Sequence, residues 1–485
     1  MRTIRQGYVS RGRQSARQMR YPAGGVSPAI RAWLFAMVLL VILLSGCGEE
    51  PPYNVVIVTI DTLRSDRLGC YGYGRPTSPR IDRFAGDGAL FENAVCQSSQ
   101  TLPSHASIFL GTNPRTNLAI SHESVVDADQ TTLAEILKSK GYVTGAFISS
   151  HALDSKYGLD QGFDTYWEVH KEATIPERQA LKTRELDATT ALGVLPWLEQ
   201  HAGSRFFLWV HWFHPHRPYD PPPRYHQAFA SGYSGTANSD PEFIMKVWRE
   251  EIELAPEDVA YLSGCYDGEV AFSDAQVGRL LDALSSMNLM ENTIVIVTAD
   301  HGEILYEHER YFGHDIALYD ECIMIPLIIH VPGQAPARGR IGELVQSLDI
   351  LPTVLDLLGI KCPREAEGKS LLPLLGGGGE PTTGAAFSET YPFPEKCEPR
   401  HAVRTADAKL IWKEVRQAPL LKEYYDLLAD PGETENLFPD LPRGAVRLDS
   451  VLSAWTEDGG LRPAPIPTAM ETNRVNILKS LGYLE

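Results

Sequence analysis

The segment Asn54-Val-Val-Ile-Val-Thr-Ile-Asp61 is an unbroken run of apolar and β-branched residues that ends on an acid. A second segment, Thr293-Ile-Val-Ile-Val-Thr-Ala-Asp300, repeats this pattern and continues into His301-Gly302-Glu303. Such runs predict buried strands, because strands covered on both faces lose the alternation of apolar and polar residues. We therefore expect two strands of a parallel sheet, Asn54–Ile60 and Thr293–Thr298, each with an aspartate near its carboxyl end.

Other apolar runs alternate with amphipathic segments along the chain. The further predicted elements are the strands Tyr142–Ile148, Phe206–Trp212 and Pro326–Val331 and the helices Thr131–Lys140, Asp274–Met287 and Asp349–Leu358. Strands separated by helices predict an α/β fold with a mostly parallel central sheet sandwiched by helices. Ligands bind outside the carboxyl ends of such strands, which is where Asp61 and Asp300 are expected.

The sequence divides into three parts. Residues 1–46 form a leader, residues 47–380 the α/β domain, and residues 381–485 a smaller C-terminal subdomain with a helical tail. The last boundary follows the Gly376–Gly379 run, after which short apolar pieces such as Ala402–Arg404 and Lys409–Lys413 predict a small antiparallel sheet.

Two segments of the α/β domain have weaker patterns. The charged segment Trp167–Asp187 is predicted to be a surface helix. The segment Pro221–Glu257, which is rich in Pro, Gly and Ser, is predicted to consist of loops that shape a substrate entrance.

The N-terminus has the character of a targeting signal. Residues 1–31 are basic and lack acids, Ala32–Leu44 is an apolar run that is short for a membrane span, and Cys47 follows it. This order resembles a bacterial lipoprotein signal, which implies lipidation of Cys47 and export to the cell envelope with the protein anchored to a membrane. A single membrane-spanning anchor is the alternative.

Composition restricts the class of partner. The chain has 485 residues, of which 43% are hydrophobic, and a formal net charge of −18. This charge argues against nucleic-acid binding, which depends on clustered Lys and Arg. Seven cysteines are present without a Cys-x-x-Cys pair, so we expect buried thiols or at most one or two disulfides.

The segment Thr101-Leu-Pro-Ser-His105 supplies a candidate nucleophile. Pro103 suits the first position of a helix, so Thr101 is expected at a helix start, where free backbone N–H groups stabilise anionic oxygens. A hydroxyl is a poor nucleophile unless a base or a metal activates it. The alternative is that Thr101 only caps the helix.

Asp61, Asp300 and His301 form a candidate ligand set for one divalent ion, with Thr101 as a further ligand. Carboxylate oxygens and an imidazole nitrogen suit Ca²⁺, Mg²⁺, Mn²⁺ or Zn²⁺. A lone aspartate after a strand is more often a turn or cap residue, and the pair followed by His301 makes the metal site the better interpretation.

Several segments resemble the sulfatase family of the alkaline phosphatase superfamily, in the same order along residues 52–440. They are Asn54–Tyr73, Thr101–Gly111, Thr132–Tyr142, His211–Tyr219, Asp300–Glu303, Gly313–Glu321 and Tyr425–Leu437. The resemblance implies a metal-dependent hydrolase of an anionic ester, whose alcohol belongs to a small molecule, a glycan or a lipid head group. It also implies catalytic roles for His216 and His314 beside the transferred group.

The chain departs from the sulfatase pattern at the nucleophile. Sulfatases have Cys or Ser at the position of Thr101 and Arg at that of His105, and threonine cannot become formylglycine. Thr101 resembles the nucleophile of phosphoester hydrolases and of phosphoethanolamine and phosphoglycerol transferases, so phosphoryl transfer is favoured over sulfuryl transfer. Thr62 replaces a second family aspartate, and Asp315 a lysine.

Three functions remain open from the sequence. The first is hydrolysis of a phosphate or sulfate ester through a covalent Thr101 intermediate, the second is transfer to an acceptor alcohol at the cell envelope, and the third is binding without turnover. A second metal ion is not expected, although His214, Asp267, His308 and His314 could supply ligands. The sequence does not decide whether His211, His214 and His308 belong to the functional site or have structural roles.

Overall fold

The structure is a computed structural model, and it describes residues 53–169, 193–308, 311–333, 339–379, 384–391, 399–415 and 418–458. The leader with Cys47 and the residues from 459 onward, which include the predicted helical tail, lie outside these ranges. In the part of the chain that is described, no helix is long and apolar enough to cross a membrane.

A central sheet of eight strands organises the α/β part, and a two-stranded ribbon lies beside it. In chain order the strands are β1 Asn54–Ile60, β2 Ala89–Val95, β3 Val143–Ile148, β4 Thr165–Glu168, β5 Phe206–Trp212, β6 Thr293–Ala299, β7 Ile304–Leu305, β8 Phe312–Gly313, β9 Met324–His330 and β10 Arg340–Gln346. The central order is β10-β2-β9-β6-β1-β5-β3-β4, and β7 pairs with β8. All central pairs are parallel except the two made by β9, which confirms a mostly parallel sheet.

Helices surround this sheet. Those with defined bounds are Pro79–Asp87, Thr101–Leu110, Pro114–Asn117, Leu133–Ser139, Pro223–Phe229, Pro241–Trp248, Pro256–Ser286, Asp320–Ile323, Ile350–Leu357, Leu372–Leu375 and Arg443–Asp458. Every residue of β1, β5 and β6 is buried. This explains their continuous apolar sequences, since no edge or face of these strands meets water.

The C-terminal part contains the predicted antiparallel sheet. Its strands are β11 Ala386–Thr390, β12 Arg400–Arg404, β13 Ala408–Lys413 and β14 Leu421–Asp426, paired in chain order. A separate apolar cluster joins this sheet to the last helix through Val403, Leu410, Ala445, Leu448 and Leu452. The fold class is therefore confirmed, while the boundary between residues 380 and 381 stays a prediction.

One segment prediction was wrong, and another is corrected at its first two residues and otherwise untested. Trp167 and Glu168 belong to β4 at the sheet edge, and residues 170–187 of the predicted surface helix lie outside the described ranges. Pro221–Glu257 is not a run of loops, because it contains the helices Pro223–Phe229 and Pro241–Trp248. Both helices begin with a proline, whose fixed φ suits the first turn although its presence suggested loops.

Cysteines in the described ranges are not disulfide-bonded. Cys70, Cys96, Cys265, Cys322 and Cys362 are free thiols. Cys397 lies outside those ranges.

Candidate metal and catalytic site

Asp61 and Asp300 lie side by side because β1 and β6 are adjacent and in register. Ile60 pairs with Ala299, so the next residue of each strand is an aspartate at the same edge of the sheet. The Asp61 amide donates to the Trp212 carbonyl at 2.8 Å, which ties the end of β1 to β5. Both carboxylates are fully buried.

The Asp300 loop is fixed by close backbone contacts. Its Oδ1 accepts hydrogen bonds from the amides of His301 at 2.8 Å and Thr62 at 3.2 Å. A Cβ on Gly302 would lie 2.0 Å from the Glu321 carbonyl oxygen, so only glycine allows this approach. These contacts orient the second oxygen, Asp300 Oδ2, toward His301 Nε2 at 3.4 Å.

Thr101 is the first residue of the helix Thr101–Leu110, and Gln100 is the N-cap residue. Pro103 is thus the third helical residue rather than the first, still within the turn where an N–H has no helical partner. No side chain caps this helix, so the threonine hydroxyl is not used for capping. Instead Thr101 Oγ1 lies 3.4 Å from His301 Nε2.

The proton positions of His301 make it a suitable metal ligand. Its Nδ1 lies 3.0 Å from the Gly302 carbonyl, which can only accept, so Nδ1 carries the proton. The lone pair of Nε2 then faces Asp300 Oδ2 and Asp61 Oδ1, at 3.4 and 3.9 Å. An imidazole that donates its other N–H to a carbonyl is the usual arrangement of a metal-binding histidine.

Asp61, Asp300 and His301 fit one divalent ion. Their ligand atoms lie within 4.8 Å of one another. Asp300 Oδ2 is buried and accepts no hydrogen bond from the described residues. Burial alone would raise the pKa of the Asp300 carboxyl, but the neighbouring imidazoles, chiefly His301, lower that pKa, so the carboxylate is ionised. A buried, ionised oxygen such as Asp300 Oδ2 is the kind of group that a bound cation satisfies.

The ligand atoms of a second buried group also lie within 4.8 Å of one another. This group consists of His105, His211 and Asp300. His105 is unsuited to bind metal, because its Nδ1 donates to the Thr101 carbonyl at 2.7 Å and its Nε2 lies 3.0 Å from Thr59 Oγ1. Thr59 Oγ1 accepts from Trp209 Nε1 at 2.9 Å and therefore donates its own proton to His105. His105, which stands at the family's arginine position, thus has no free lone pair.

His216 and His314 form a pair beside the ligand set. The His314 ring lies 4.3 Å from that of His301, and the Nε2 atoms of His314 and His216 lie 3.2 Å apart. Each ring directs Nδ1 at a backbone carbonyl, that of Ser99 for His314 and that of Arg217 for His216. The contact between the two Nε2 atoms is therefore a hydrogen bond only when the pair holds one additional proton.

Burial keeps this pair neutral in the absence of an anion. It lowers the pKa of His314 to about 3. Burial, followed by the nearby His314, also lowers the pKa of His216 well below its ordinary value. An anion placed against the pair favours the charged form, so an anionic substrate would bring a shared proton with it.

Acidic groups border the two histidines. Asp315, at the family's lysine position, lies 3.3 Å from His314 Nδ1 and 3.0 Å from His122 Nε2. Burial raises the pKa of Glu303 to about 8, so this acid is largely neutral at pH 7 and adds little charge to the site. Asp61 and Asp300 remain the main anionic groups of the site.

His211 belongs to this site, although its role was left open by the sequence. Its Nε2 lies 3.6 Å from Asp61 Oδ2. His211 lies near the end of the predicted strand β5. This position became informative only when the structure showed that β5 is adjacent to β1.

Three of the four residues held in reserve for a second ion are engaged elsewhere, while His314 lies in the pair described above. His214 pairs with Glu269, and His308 Nε2 lies 3.3 Å from Glu321. Asp267 accepts hydrogen bonds from Tyr73 and Arg75. Within the described ranges these groups form no further cluster of metal-ligand type.

Comparisons with known proteins agree with this geometry. The sulfatase family model matches residues 53–360, and the model for the C-terminal region of N-sulphoglucosamine sulphohydrolase matches residues 307–449. N-acetylglucosamine-6-O-sulfatase of Bacteroides thetaiotaomicron is 26% identical over 79% of this chain and 82% of its own length. Human iduronate 2-sulfatase is 27% identical over 66% of this chain and 73% of its own length.

Solved structures share the fold at lower identity. The phosphonate monoester hydrolase of Agrobacterium radiobacter has a TM-score of 0.69 at 22% identity, covering 83% of this chain and 95% of that one. A protein solved with its substrate D-glucosamine-2-N,6-O-disulfate also has a TM-score of 0.69 at 22% identity, covering 85% and 99%. Members of the matched family are metal-dependent hydrolases, in agreement with the ligand set described above. The chain belongs to the sulfatase family.

Proposed function

We propose that this protein cleaves a phosphate or sulfate ester through a covalent ester on Thr101, with phosphoryl transfer favoured. The position of the Thr101 hydroxyl carries the proposal. It stands at a helix start, is not used for capping, and lies 3.4 Å from the Nε2 of His301. Asp300, the carboxylate partner of His301, is next to it in the same buried cluster.

The identity of the nucleophile supports phosphoryl chemistry. Threonine cannot form the aldehyde on which sulfatases depend, whereas a hydroxyl activated by a divalent ion attacks phosphorus directly. The fold is shared with a phosphonate monoester hydrolase as well as with sulfatases. The relatives named for sulfated sugars support an anionic glycan ester as substrate, with sulfate as the alternative to phosphate.

The chain's own residues account for the steps. Asp61, Asp300 and His301 would hold one divalent ion, which supplies positive charge that favours ionisation of Thr101 and neutralises the anionic ester. The Thr101 hydroxyl loses its proton to solvent, and Thr101 Oγ1 forms a bond to phosphorus or sulfur as the bond from that atom to the alcohol oxygen breaks. The His216 and His314 pair gives its shared proton to the departing oxygen. Water then cleaves the Thr101 ester and restores the hydroxyl.

Thr101→Ala and Thr101→Ser test this function. We expect alanine to lower kcat by on the order of 10⁴-fold or more on aryl phosphates, phosphodiesters or sulfates, because the covalent route is lost. Serine keeps a hydroxyl and should retain measurable turnover. Mass spectrometry of quenched reactions should show the adduct on the peptide that contains residue 101. Unchanged activity in the alanine variant would contradict the proposal.

Transfer to an acceptor alcohol is a second candidate. The predicted lipid anchor favours it, since it would hold the site near lipid and glycan head groups. Product analysis separates the two functions, because a transferase forms a new ester with an added alcohol while a hydrolase releases free phosphate or sulfate. A protein that takes up no divalent ion and turns over no ester would instead be a binding protein.

We also propose that the protein is exported and anchored at the bacterial cell envelope through a lipid on Cys47. The basic leader and the apolar run before Leu44-Ser-Gly-Cys47 support this location. Fractionation of cells that express the full chain and Cys47→Ser tests it. The serine variant should leave the membrane fraction, and its retention there in equal amount would favour a membrane-spanning anchor.

A further inference from the structure

The turn after β1 holds a strained residue next to the metal ligands. Thr62 has φ +57°, a left-handed conformation that is unfavourable for a β-branched side chain. Its amide donates to Asp300 Oδ1, so this conformation joins the Asp61 turn to the other carboxylate. Strain of this kind persists only where the surrounding structure imposes it.

The hydroxyl of Tyr266 spans this turn. Tyr266 is fully buried on the helix Pro256–Ser286, 200 positions from the turn in sequence, and its hydroxyl accepts from the Arg64 amide at 3.0 Å. The same hydroxyl donates to the Thr62 carbonyl at 2.7 Å. Burial raises the pKa of Tyr266 well above its ordinary value, so the donated proton is present at all working pH values.

We propose that Tyr266 is a positioning residue of the metal site, which its hydroxyl orders by holding Thr62 in the left-handed conformation. Loss of the hydroxyl leaves the Thr62 carbonyl and the Arg64 amide without their partner. The turn then relaxes, and the Thr62 amide withdraws from Asp300 Oδ1. The inference rests on the proposed function, because it requires that Asp61 and Asp300 bind a divalent ion.

Tyr71 offers a matched control. Its hydroxyl accepts from the Leu327 amide at 2.9 Å and donates to the Phe91 carbonyl at 3.0 Å. It therefore makes the same pair of backbone hydrogen bonds, but between β2 and β9 rather than at the Asp61 turn. Replacing either tyrosine by phenylalanine removes two comparable bonds, and at Tyr71 also a longer contact of 3.5 Å with the Leu327 carbonyl.

The experiment measures ion binding by the full chain. Zn²⁺ affinity is measured by calorimetry, and the visible spectrum of bound Co²⁺ reports ligand geometry. We expect Tyr266→Phe to weaken Zn²⁺ binding about tenfold and to alter the Co²⁺ spectrum, as loss of an outer partner of a ligand does. Tyr71→Phe should change the Zn²⁺ affinity less than about twofold. It should lower the thermal midpoint of unfolding about as much as Tyr266→Phe does.

Thr62→Gly provides an independent check, because glycine adopts positive φ without strain. In the Thr62→Gly background, Tyr266→Phe should weaken Zn²⁺ binding by less than about threefold. Should Tyr266→Phe fail to fold, restoration of folding and binding by Thr62→Gly supports the proposal, and no restoration overturns it.

The outcomes separate the inference from the function on which it rests. Wild-type affinity in Tyr266→Phe, or equal losses in the two tyrosine variants, overturns the role of Tyr266 and leaves the proposed function intact. A wild-type protein that binds neither Zn²⁺ nor Co²⁺ overturns the metal site itself.

Discussion

Two buried polar clusters in this protein differ in how their charges are satisfied. At the sheet edge, Asp61, Asp300 and His301 direct acceptor atoms toward one another. Beneath the C-terminal sheet, the fully buried Lys409 binds Asp320, Glu433 Oε1 at 2.8 Å and the Leu318 carbonyl at 3.3 Å. We refer to Lys409, Asp320, Arg404 and Glu433 as the Lys409 cluster.

The Lys409 cluster pairs each charge with an opposite one. Arg404 Nη2 lies 3.0 Å from Asp320 Oδ2, and the Asp320 amide donates to Glu433 at 2.6 Å. Such a network joins β13 to the helix Asp320–Ile323 and contributes to folding. Asp61, Asp300 and His301 instead place their ligand atoms within 4.8 Å of one another, so the comparison distinguishes a cluster that supports structure from one arranged for a ligand.

The largest expected effect comes from Asp300→Asn. Loss of a charged ligand should weaken Zn²⁺ binding more than about 100-fold, beyond what loss of an outer partner costs. The amide oxygen can still accept from Thr62 and His301, so the metal-free free energy of unfolding should change by no more than about 1 kcal/mol. Calorimetry and urea unfolding in chelator measure the two quantities. Tight Zn²⁺ binding by this variant would remove Asp300 from the ligand set.

Lys409→Met should produce the opposite pattern. Removing one partner of a buried charge network lowers the free energy of unfolding by about 3 kcal/mol, while Zn²⁺ affinity changes less than about twofold. Lys246→Met is the control, because Lys246 makes an exposed pair with Glu242 and its loss should leave the free energy of unfolding close to the wild-type value. Urea unfolding measures the free energy of unfolding of both variants. Equally small decreases in the two would show that the Lys409 cluster does not stabilise the fold.

The smallest expected effect is on acid stability. Burial alone would raise the pKa of Asp320, but Lys409 and Arg404 outweigh it and lower that pKa to about 2. A carboxyl whose folded pKa is depressed contributes stability above its unfolded pKa near 4, and this is lost as the pH falls toward 2.

The measurement is urea unfolding at pH 4 and pH 2.5 in the Asp300→Asn background, which removes a second buried carboxyl with a lowered pKa. The destabilisation caused by Lys409→Met should shrink by about 1 kcal/mol over this range. A difference that is independent of pH would show that Asp320 does not titrate there.

The sequence predicted the strands of the site and the residues at their ends. β1 and β5 have the predicted bounds, and β6 extends one residue beyond its prediction, because buried parallel strands need continuous apolar runs. Helices that begin with proline inside Pro221–Glu257 were missed, since local composition does not report packing. The sequence also did not predict that β9 is antiparallel, because a run of buried apolar residues is the same for parallel and antiparallel strands.

The sequence by itself determined the fold class and brought Asp61, Thr101, Asp300 and His301 into consideration, because strand ends and helix starts carry local signals. Only the tertiary structure decided which histidine is suited to bind metal. His105 and His301 have the same chemistry, and the difference between them is where each ring nitrogen finds its partner. Contacts of that kind, like those of Tyr266 with the Thr62 turn, join residues far apart in the chain and leave no local pattern in sequence.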